Sequence, residues 1–231
     1  MTGGLPLREA LAALRRGIET ACHRAGRRPE DVVLIAVTKT VPADTVRQAR
    51  EIGVENFGEN YAAELASKSA VVEARWHFIG KLQRGTAAKV ADHANMVHSA
   101  EPGRGFERLA RHAHQRADTI PCLVQVDFTG TRQGVAPDQT IAFIREAQAV
   151  KGIRLVGLMT LPPWTGDPEA SRPYFARLRA MRDEVRGTWP GISELSMGMS
   201  GDYQVAIEEG ATMLRVGTAL FGDRRAGRAL G

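Results

Sequence analysis

Apolar positions along this chain alternate between two patterns. Short apolar runs, several of them rich in β-branched residues, are separated by segments whose apolar residues recur every three or four positions. The first segment carries Leu7, Leu11, Leu14 and Ile18, which predicts an amphipathic helix that ends near Gly26. The short runs predict eight strands, at about residues 32–37, 54–57, 76–79, 96–99, 122–126, 155–159, 194–196 and 213–216.

Helical patterns fill the intervals between these strands, at about residues 43–53, 62–73, 87–92, 105–116, 137–150, 171–186 and 202–209. Strands that alternate with helices indicate parallel βαβ units. Eight such units favour a (β/α)8 TIM-type barrel with an extra N-terminal helix, and an open doubly wound sheet is the structural alternative. Because no linker or shift in composition divides residues 1–231, we expect a single domain.

Composition is ordinary for a soluble globular protein, with 43% hydrophobic and 25% charged residues in a chain of 231. The sequence contains no apolar run long enough for a membrane span and does not start like a signal peptide, so we expect a cytoplasmic protein. Its two cysteines, Cys22 and Cys122, lie far apart and form no Cys-x-x-Cys motif. This spacing favours reduced thiols over a disulfide or a zinc site.

A net charge of +5 raises the possibility of a nucleic-acid partner. However, the arginines are scattered over predicted helix faces that also carry acidic residues, without interleaved aromatic residues. The densest cluster, Arg224, Arg225 and Arg228, lies in a glycine-containing tail. We therefore expect no nucleic-acid partner.

The first predicted strand runs directly into Thr38-Lys39-Thr40. A lysine at this position has two interpretations. It can leave the core and extend into water as the strand ends, or it can be a desolvated amine that forms a Schiff base with a carbonyl ligand. The stretch taken alone favours the plain strand exit.

In a barrel, the loops after strands seven and eight are a frequent phosphate site. Here they read Ser196-Met197-Gly198-Met199-Ser200-Gly201-Asp202 and Arg215-Val216-Gly217-Thr218. Each loop alone is equally a glycine-containing turn with a helix cap. Together with Lys39, on the strand that neighbours strand eight once the barrel closes, they combine an amine for an aldehyde with a cup for a phosphate.

Six motifs along the chain resemble those of the pyridoxal phosphate homeostasis protein family. They are Ala36–Thr40, Phe57–Asn60, Trp76–Gly80 with Leu82-Gln83, Gly157–Met159, Leu195–Asp202 and Arg215–Gly222. The resemblance covers about residues 6–223 and implies a barrel like the amino-terminal domain of alanine racemase. It also implies that the protein binds pyridoxal 5'-phosphate (PLP).

The resemblance implies a role for individual residues. Lys39 matches the lysine that forms the internal aldimine, and Arg215 matches the arginine that faces the pyridine nitrogen. Ser200, Gly217 and Thr218 match the phosphate contacts. Asn60 lies in the matching Gly-Glu-Asn motif near the cofactor, although an asparagine that opens a helix is also an ordinary cap.

Two loops depart from the family pattern: Leu82-Gln83 is followed by Arg84-Gly85-Thr86, and the loop 129–134 carries Arg132-Gln133. Both departures are expected outside the lysine and the phosphate cup, where they bear on a partner or second ligand and leave PLP binding intact.

The resemblance implies a protein of intracellular PLP (vitamin B6) homeostasis without catalysis. Arg215 can only donate a hydrogen bond, so it disfavours protonation of the pyridine nitrogen and weakens the electron sink. Alanine racemase also uses a tyrosine base from a carboxyl-terminal domain, and this chain ends about ten residues beyond Phe221. The alternatives are a small PLP-dependent amino-acid racemase and a Schiff-base aldolase.

Further expectations concern partners and metals. PLP-dependent apoenzymes are candidate partners, and we expect a monomer because the site needs no second chain. His77, between two aromatic residues on a strand, is expected to be packed and hydrogen-bonded. His112 and His114 are two positions apart on a helix and do not share a face, so they form no metal pair.

Overall fold

Eight parallel strands close into a barrel in the computed structural model, which describes residues 6–222. The strands are β1 (Val33–Val37), β2 (Asn56–Glu59), β3 (Arg75–Phe78), β4 (Met96–Ala100), β5 (Ile120–Val126), β6 (Ile153–Thr160), β7 (Glu194–Ser196) and β8 (Met213–Val216). Each strand pairs with the next along the chain, and β8 pairs with β1. The predicted (β/α)8 barrel is confirmed, and the open sheet is wrong because the first and last strands are hydrogen-bonded.

Helices follow the strands around the outside of the barrel. They are α1 (Leu7–Arg24), α2 (Ala43–Glu51), α3 (Ala62–Ser69), α4 (Ala87–His93), α5 (Arg104–Gln115), α6 (Thr140–Ala147), α7 (Arg172–Thr188), α8 (Tyr203–Glu208) and α9 (Thr218–Phe221). Short 3-10 turns over Pro137–Gln139 and Pro168–Ser171 precede α6 and α7. The arginine cluster predicted at 224–228 lies outside the described residues.

The extra N-terminal helix is confirmed as α1. Its apolar face, which includes Leu11, Leu14 and Ile18, is buried. It packs against α8 and α9, and the residues just after it continue this contact, because Arg27 donates to the Ile207 carbonyl oxygen at 2.8 Å. α1 therefore covers the side of the barrel where the last two βα units lie.

β2 begins two residues later than the pattern predicts. Val54 is buried, but its N–H donates to the Ala49 carbonyl at 3.0 Å, and Gly53 adopts a φ of +94°. This hydrogen bond and the positive φ of Gly53 form the cap at the carboxyl end of α2, and Val54 is the apolar residue of that cap. The strand therefore extends to Glu59, and Asn60 follows it directly.

Pairing of β1 with β8 positions the carboxyl end of the barrel. Ile35 is opposite Arg215 and Ala36 is opposite Val216. Lys39, two residues beyond β1, consequently lies beside the end of β8, as predicted. Inside the barrel, an apolar cluster fills the space between the strands and includes Ile35, Leu123, Val156, Met159 and Met213.

Cys22 and Cys122 are both buried and free. None of the helices within residues 6–222 combines the length and hydropathy that a membrane crossing requires.

Candidate functional site

A cavity of about 1080 Å³ opens at the carboxyl ends of the strands. Its wall contains all six residues that the sequence singled out: Lys39, Asn60, Ser200, Arg215, Gly217 and Thr218. They lie at or follow the ends of β1, β2, β7 and β8, and the pairing of β1 with β8 that closes the barrel brings the first two strand ends beside the last two. The structure therefore brings the predicted lysine and the two predicted loops to one place.

Other lining residues were not among the six predicted site residues. They are Val37, Thr40, Ile79, Arg132, Leu161, Trp164, Met199, Gly201 and Ala219. Arg132 corrects an expectation, since the departing loop that carries it was placed outside the lysine and cup and in fact reaches the same cavity. Arg84 and Gly85 line a separate surface cleft, so for them the expectation holds. Trp164 belongs to the proline-rich loop after β6, and its place in a loop that follows a strand was the sequence signal that could have identified it as a lining residue.

Lys39 occupies a tight turn immediately after β1. The Thr38 carbonyl accepts a hydrogen bond from the Val41 N–H at 2.9 Å, and Thr40 adopts a φ of +62°. A positive φ at the third residue of a β-turn is the mark of type II geometry, which makes Lys39 the second residue. Lys39 is half-buried and contributes to the cavity wall, a position that a plain exit into bulk water does not require.

Two polar residues of the loop after β7 have different surroundings. Asp202 is buried, and its carboxylate accepts from the Met199 N–H at 2.7 Å and from the Ser171 hydroxyl at 2.8 Å. Ser200 instead faces the loop after β8, where its Oγ accepts from the N–H groups of Gly217 and Ala219 at 3.3 and 3.2 Å. Asp202 therefore fixes the loop, and Ser200 contributes to the cavity.

Arg215 is a buried cation in the cavity wall, with 4% of its surface exposed. It donates to Ser196 Oγ from one terminal nitrogen and to the Thr160 carbonyl from the other at 2.8 Å. Burial lowers the pKa of the guanidinium to about 10, partly offset by the charge of Asp202. Arg215 consequently stays positively charged at neutral pH.

A chain of hydrogen bonds leads from Arg215 through the barrel interior. Ser196 Oγ lies 2.8 Å from His98 Nδ1, His98 Nε2 lies 2.9 Å from His77 Nδ1, and His77 Nε2 lies 3.1 Å from Asn56 Oδ1. Because an arginine only donates, one direction satisfies every atom: Ser196 accepts from Arg215 and donates to His98, and each imidazole then donates from Nε2.

Both imidazoles in this chain are neutral at neutral pH. Burial lowers the pKa of His77 to about 4, with a further contribution from the charge of Arg75. Burial, His77 and Arg215 hold the pKa of His98 well below its usual value. The prediction that His77 is a packed, hydrogen-bonded histidine is confirmed.

The cavity favours an anionic ligand. Among the described residues, its wall carries three cationic side chains, Lys39, Arg132 and Arg215, and no carboxylate. Ser200, Gly217 and Thr218 line the part of the wall where the Gly217 N–H donates to Ser200 Oγ, and hydroxyl and N–H groups of this kind suit phosphate oxygens. Asn60 Oδ1 is buried without a hydrogen-bond partner among residues 6–222, an arrangement that a polar ligand relieves. These residues fit PLP.

Metal ligation has no comparable support. In the part of the chain that the structure describes, histidine, cysteine and acidic side chains form no group of three or more that could hold an ion. His112 instead pairs with Asp92, with Nε2 at 2.8 Å from a carboxylate oxygen.

Comparison with known proteins matches residues 10–225 to the family model of the alanine racemase N-terminal domain. The pyridoxal phosphate homeostasis protein of Pseudomonas aeruginosa is 38% identical over 221 residues, which cover 94% of this chain and 95% of that protein. The protein of the same name from Aquifex aeolicus is 34% identical over 223 residues, covering 94% and 98%. The chain belongs to the pyridoxal phosphate homeostasis protein family.

Solved structures extend this result. PipY of Synechococcus elongatus, solved with PLP bound, is 33% identical, superposes with a TM-score of 0.83, and is covered over its full length by 94% of this chain. Alanine racemase of Clostridium difficile superposes with a TM-score of 0.71 at 15% identity, over 90% of this chain and 56% of that one. The likeness of this pyridoxal phosphate homeostasis family member to the racemase is one of fold.

Proposed function

We propose that this protein binds PLP through Lys39 and holds it reversibly as part of cytoplasmic PLP (vitamin B6) homeostasis. The observation that carries the proposal is the single cavity in which an amine faces a donor-rich cup. The PLP bound to PipY, a relative of the same fold, supports it. The cationic wall supports it as well, because PLP carries a phosphate.

Each residue has a distinct task in this proposal. Bound PLP supplies an aldehyde and an aromatic ring that can act as an electron sink. Lys39 would hold the cofactor through its side-chain amine, the group in the wall that is suited to an aldehyde. Ser200, Gly217 and Thr218 would hold the phosphate, Arg215 would act as a donor toward the pyridine nitrogen, and Asn60 would supply a polar contact to the cofactor.

Storage is favoured over catalysis by two features of the wall. Arg215 remains a donor at neutral pH, which disfavours protonation of the pyridine nitrogen and so weakens the electron sink. A racemase needs a second base on the opposite face of the substrate. Among the described residues that line the cavity, Lys39 is the one side chain suited to that role, and it is the attachment point itself.

Two further proposals concern the protein in the cell. Because residues of one chain complete the cavity, we expect a monomer to be sufficient for binding. PLP-dependent apoenzymes are the expected recipients of the cofactor. Transfer from the loaded protein to such an apoenzyme, followed by the recovery of its activity, would test the role in homeostasis.

Absorbance tests the binding mode. The purified protein loaded with PLP should be yellow, and borohydride should bleach the colour and leave a pyridoxyl group on Lys39 that peptide mass spectrometry locates. Lys39→Ala should abolish the colour, whereas Lys81→Ala, at an exposed lysine outside the cavity, should retain it. A colourless protein that takes up no PLP would refute the proposal.

The same preparation separates the two enzyme alternatives. A racemase would incorporate solvent deuterium at Cα of an amino acid in proportion to PLP occupancy, and Lys39→Ala would lose this exchange. A Schiff-base aldolase would be colourless and would be trapped by borohydride only with its substrate present. A yellow protein that catalyses no exchange agrees with storage.

A further inference from the structure

A group of three charged side chains, two of them buried, bonds to the residues next to Lys39. We call Glu59, Glu64 and Lys68 the Lys68 cluster. Lys68 Nζ donates to the Thr38 carbonyl at 2.7 Å, to Glu59 Oε1 at 2.7 Å and to Glu64 Oε2 at 2.6 Å. The ammonium has three protons and here finds three acceptors. The Lys68 side chain is 7% exposed and that of Glu59 is 0% exposed, so this ion pair is interior, while Glu64 is partly exposed.

The cluster bonds the residues on both sides of Lys39. On one side, the Thr38 hydroxyl donates to Glu59 Oε1 at 2.7 Å, in addition to the bond from Lys68 to the Thr38 carbonyl. On the other side, the Thr40 N–H donates to Glu64 Oε2 at 2.8 Å. Lys39 is therefore the middle residue of a segment that the cluster holds at each end.

The segment needs such a restraint because its turn is strained. Thr40 adopts a φ of +62°, a region that β-branched residues rarely occupy and that type II turns usually fill with glycine. A strained backbone persists only where surrounding contacts impose it. The bond from the Thr40 N–H to Glu64 is the side-chain contact that does so.

Packing alone does not explain the cluster. Apolar residues of similar volume would pack between β2 and α3 without the desolvation penalty that buried ions carry. The charged side chains, however, form hydrogen bonds with the backbone of residues 38 and 40. An apolar side chain cannot form these bonds.

We propose that Glu59, Glu64 and Lys68 are positioning residues that hold the strained turn at Thr40 and thereby direct Lys39 into the cavity. The proposal rests on the proposed function, since it assigns Lys39 the bond to PLP. It adds that the geometry of the amine is set from behind the strand, by residues that do not touch the cofactor.

Glu64→Ala is the most direct test, because Glu64 is partly exposed and its removal takes away the acceptor of the Thr40 N–H. We expect the dissociation constant of PLP to rise by about tenfold or more, as for loss of a hydrogen bond to a charged group. Pyridoxine 5'-phosphate, which has an alcohol in place of the aldehyde, should bind within about twofold of the parent, because it uses the cup and not the amine. Glu73→Ala, at an exposed carboxylate beyond α3, is the matched control.

Two further variants separate positioning from general damage. Glu64→Gln keeps an acceptor for the Thr40 N–H and should restore most of the PLP affinity. Thr40→Gly removes the strain, so Glu64→Ala made in that background should weaken PLP binding much less than it does alone. Thermal unfolding of each variant without ligand shows whether it is folded.

The outcomes distinguish this inference from the proposed function. A parent protein that never attaches PLP to Lys39 would refute the proposed function. If the parent attaches PLP and Glu64→Ala binds it equally well, the positioning role is overturned. An equal loss of affinity for PLP and pyridoxine 5'-phosphate in folded Glu64→Ala would also overturn it, because it would show that the cup itself had changed.

Discussion

Acid should destabilise this protein through the buried histidine chain. His77 and His98 are neutral in the folded state because burial lowers their pKa values. In the unfolded state each imidazole has its ordinary pKa of about 6.5. Their contribution to stability is therefore fully present above pH 6.5 and decreases as the pH falls from there towards the folded-state pKa, since the unfolded chain then binds more protons.

The magnitude follows from the two pKa values of His77. With a folded-state pKa of about 4 and an ordinary value of 6.5, lowering the pH from about 7.5 to 5 removes about 2 kcal/mol from the free energy of unfolding. His98 shifts in the same direction and adds to the loss. Protonation also breaks the chain, because an imidazolium has no acceptor nitrogen for the hydrogen bond from its neighbour.

Urea unfolding of the protein without PLP, at pH values of about 7.5, 6 and 5, measures this effect. The compared quantity is the loss of unfolding free energy between the highest and lowest pH. His77→Gln keeps a donor for Asn56 but cannot titrate, so its loss should be smaller by about 2 kcal/mol. His114→Gln, at an exposed imidazole, should leave the loss unchanged. An equal loss in His77→Gln and the parent would refute the assignment.

Three other substitutions address the loop after β7 and the cavity wall. Gly198→Ala should lower the unfolding free energy, measured by urea unfolding, by about 2 kcal/mol or more. The reason is that Gly198 has a φ of +91° and that a Cβ there would lie 2.6 Å from Ala206 Cβ. Gly187→Ala, whose Cβ would meet no atom within 4 Å, is the control. In absorbance titrations, Ser200→Ala should weaken the binding of PLP by about tenfold and leave the binding of pyridoxal, which lacks the phosphate, unchanged. Equal effects on both ligands would place Ser200 outside the phosphate cup. Trp164→Ala should accelerate PLP release in stopped-flow absorbance, because the indole covers Gly201 at the cavity wall, and an unchanged rate would exclude that role.

Local patterns in the sequence were sufficient for the order of the elements. Strand and helix periods depend on residues that are near neighbours in sequence, so all eight strands could be predicted within two residues of their observed bounds. The error at β2 arose where Val54, an apolar residue, completes a helix cap instead of a strand. The six predicted site residues could also be selected from the sequence, because each lies at a strand end or in a loop with a recognisable motif.

Closure of the barrel decided the rest. His98 and Ser196 are far apart in sequence, and their bond exists because the strands that carry them face each other across the interior. Glu64 and Lys68 have the spacing of an ordinary surface pair on a helix, yet Glu59 and the backbone of Thr38 convert them into a buried cluster. Contacts of this kind depend on which strands become neighbours and which side chains lose water, and only the tertiary structure determines both.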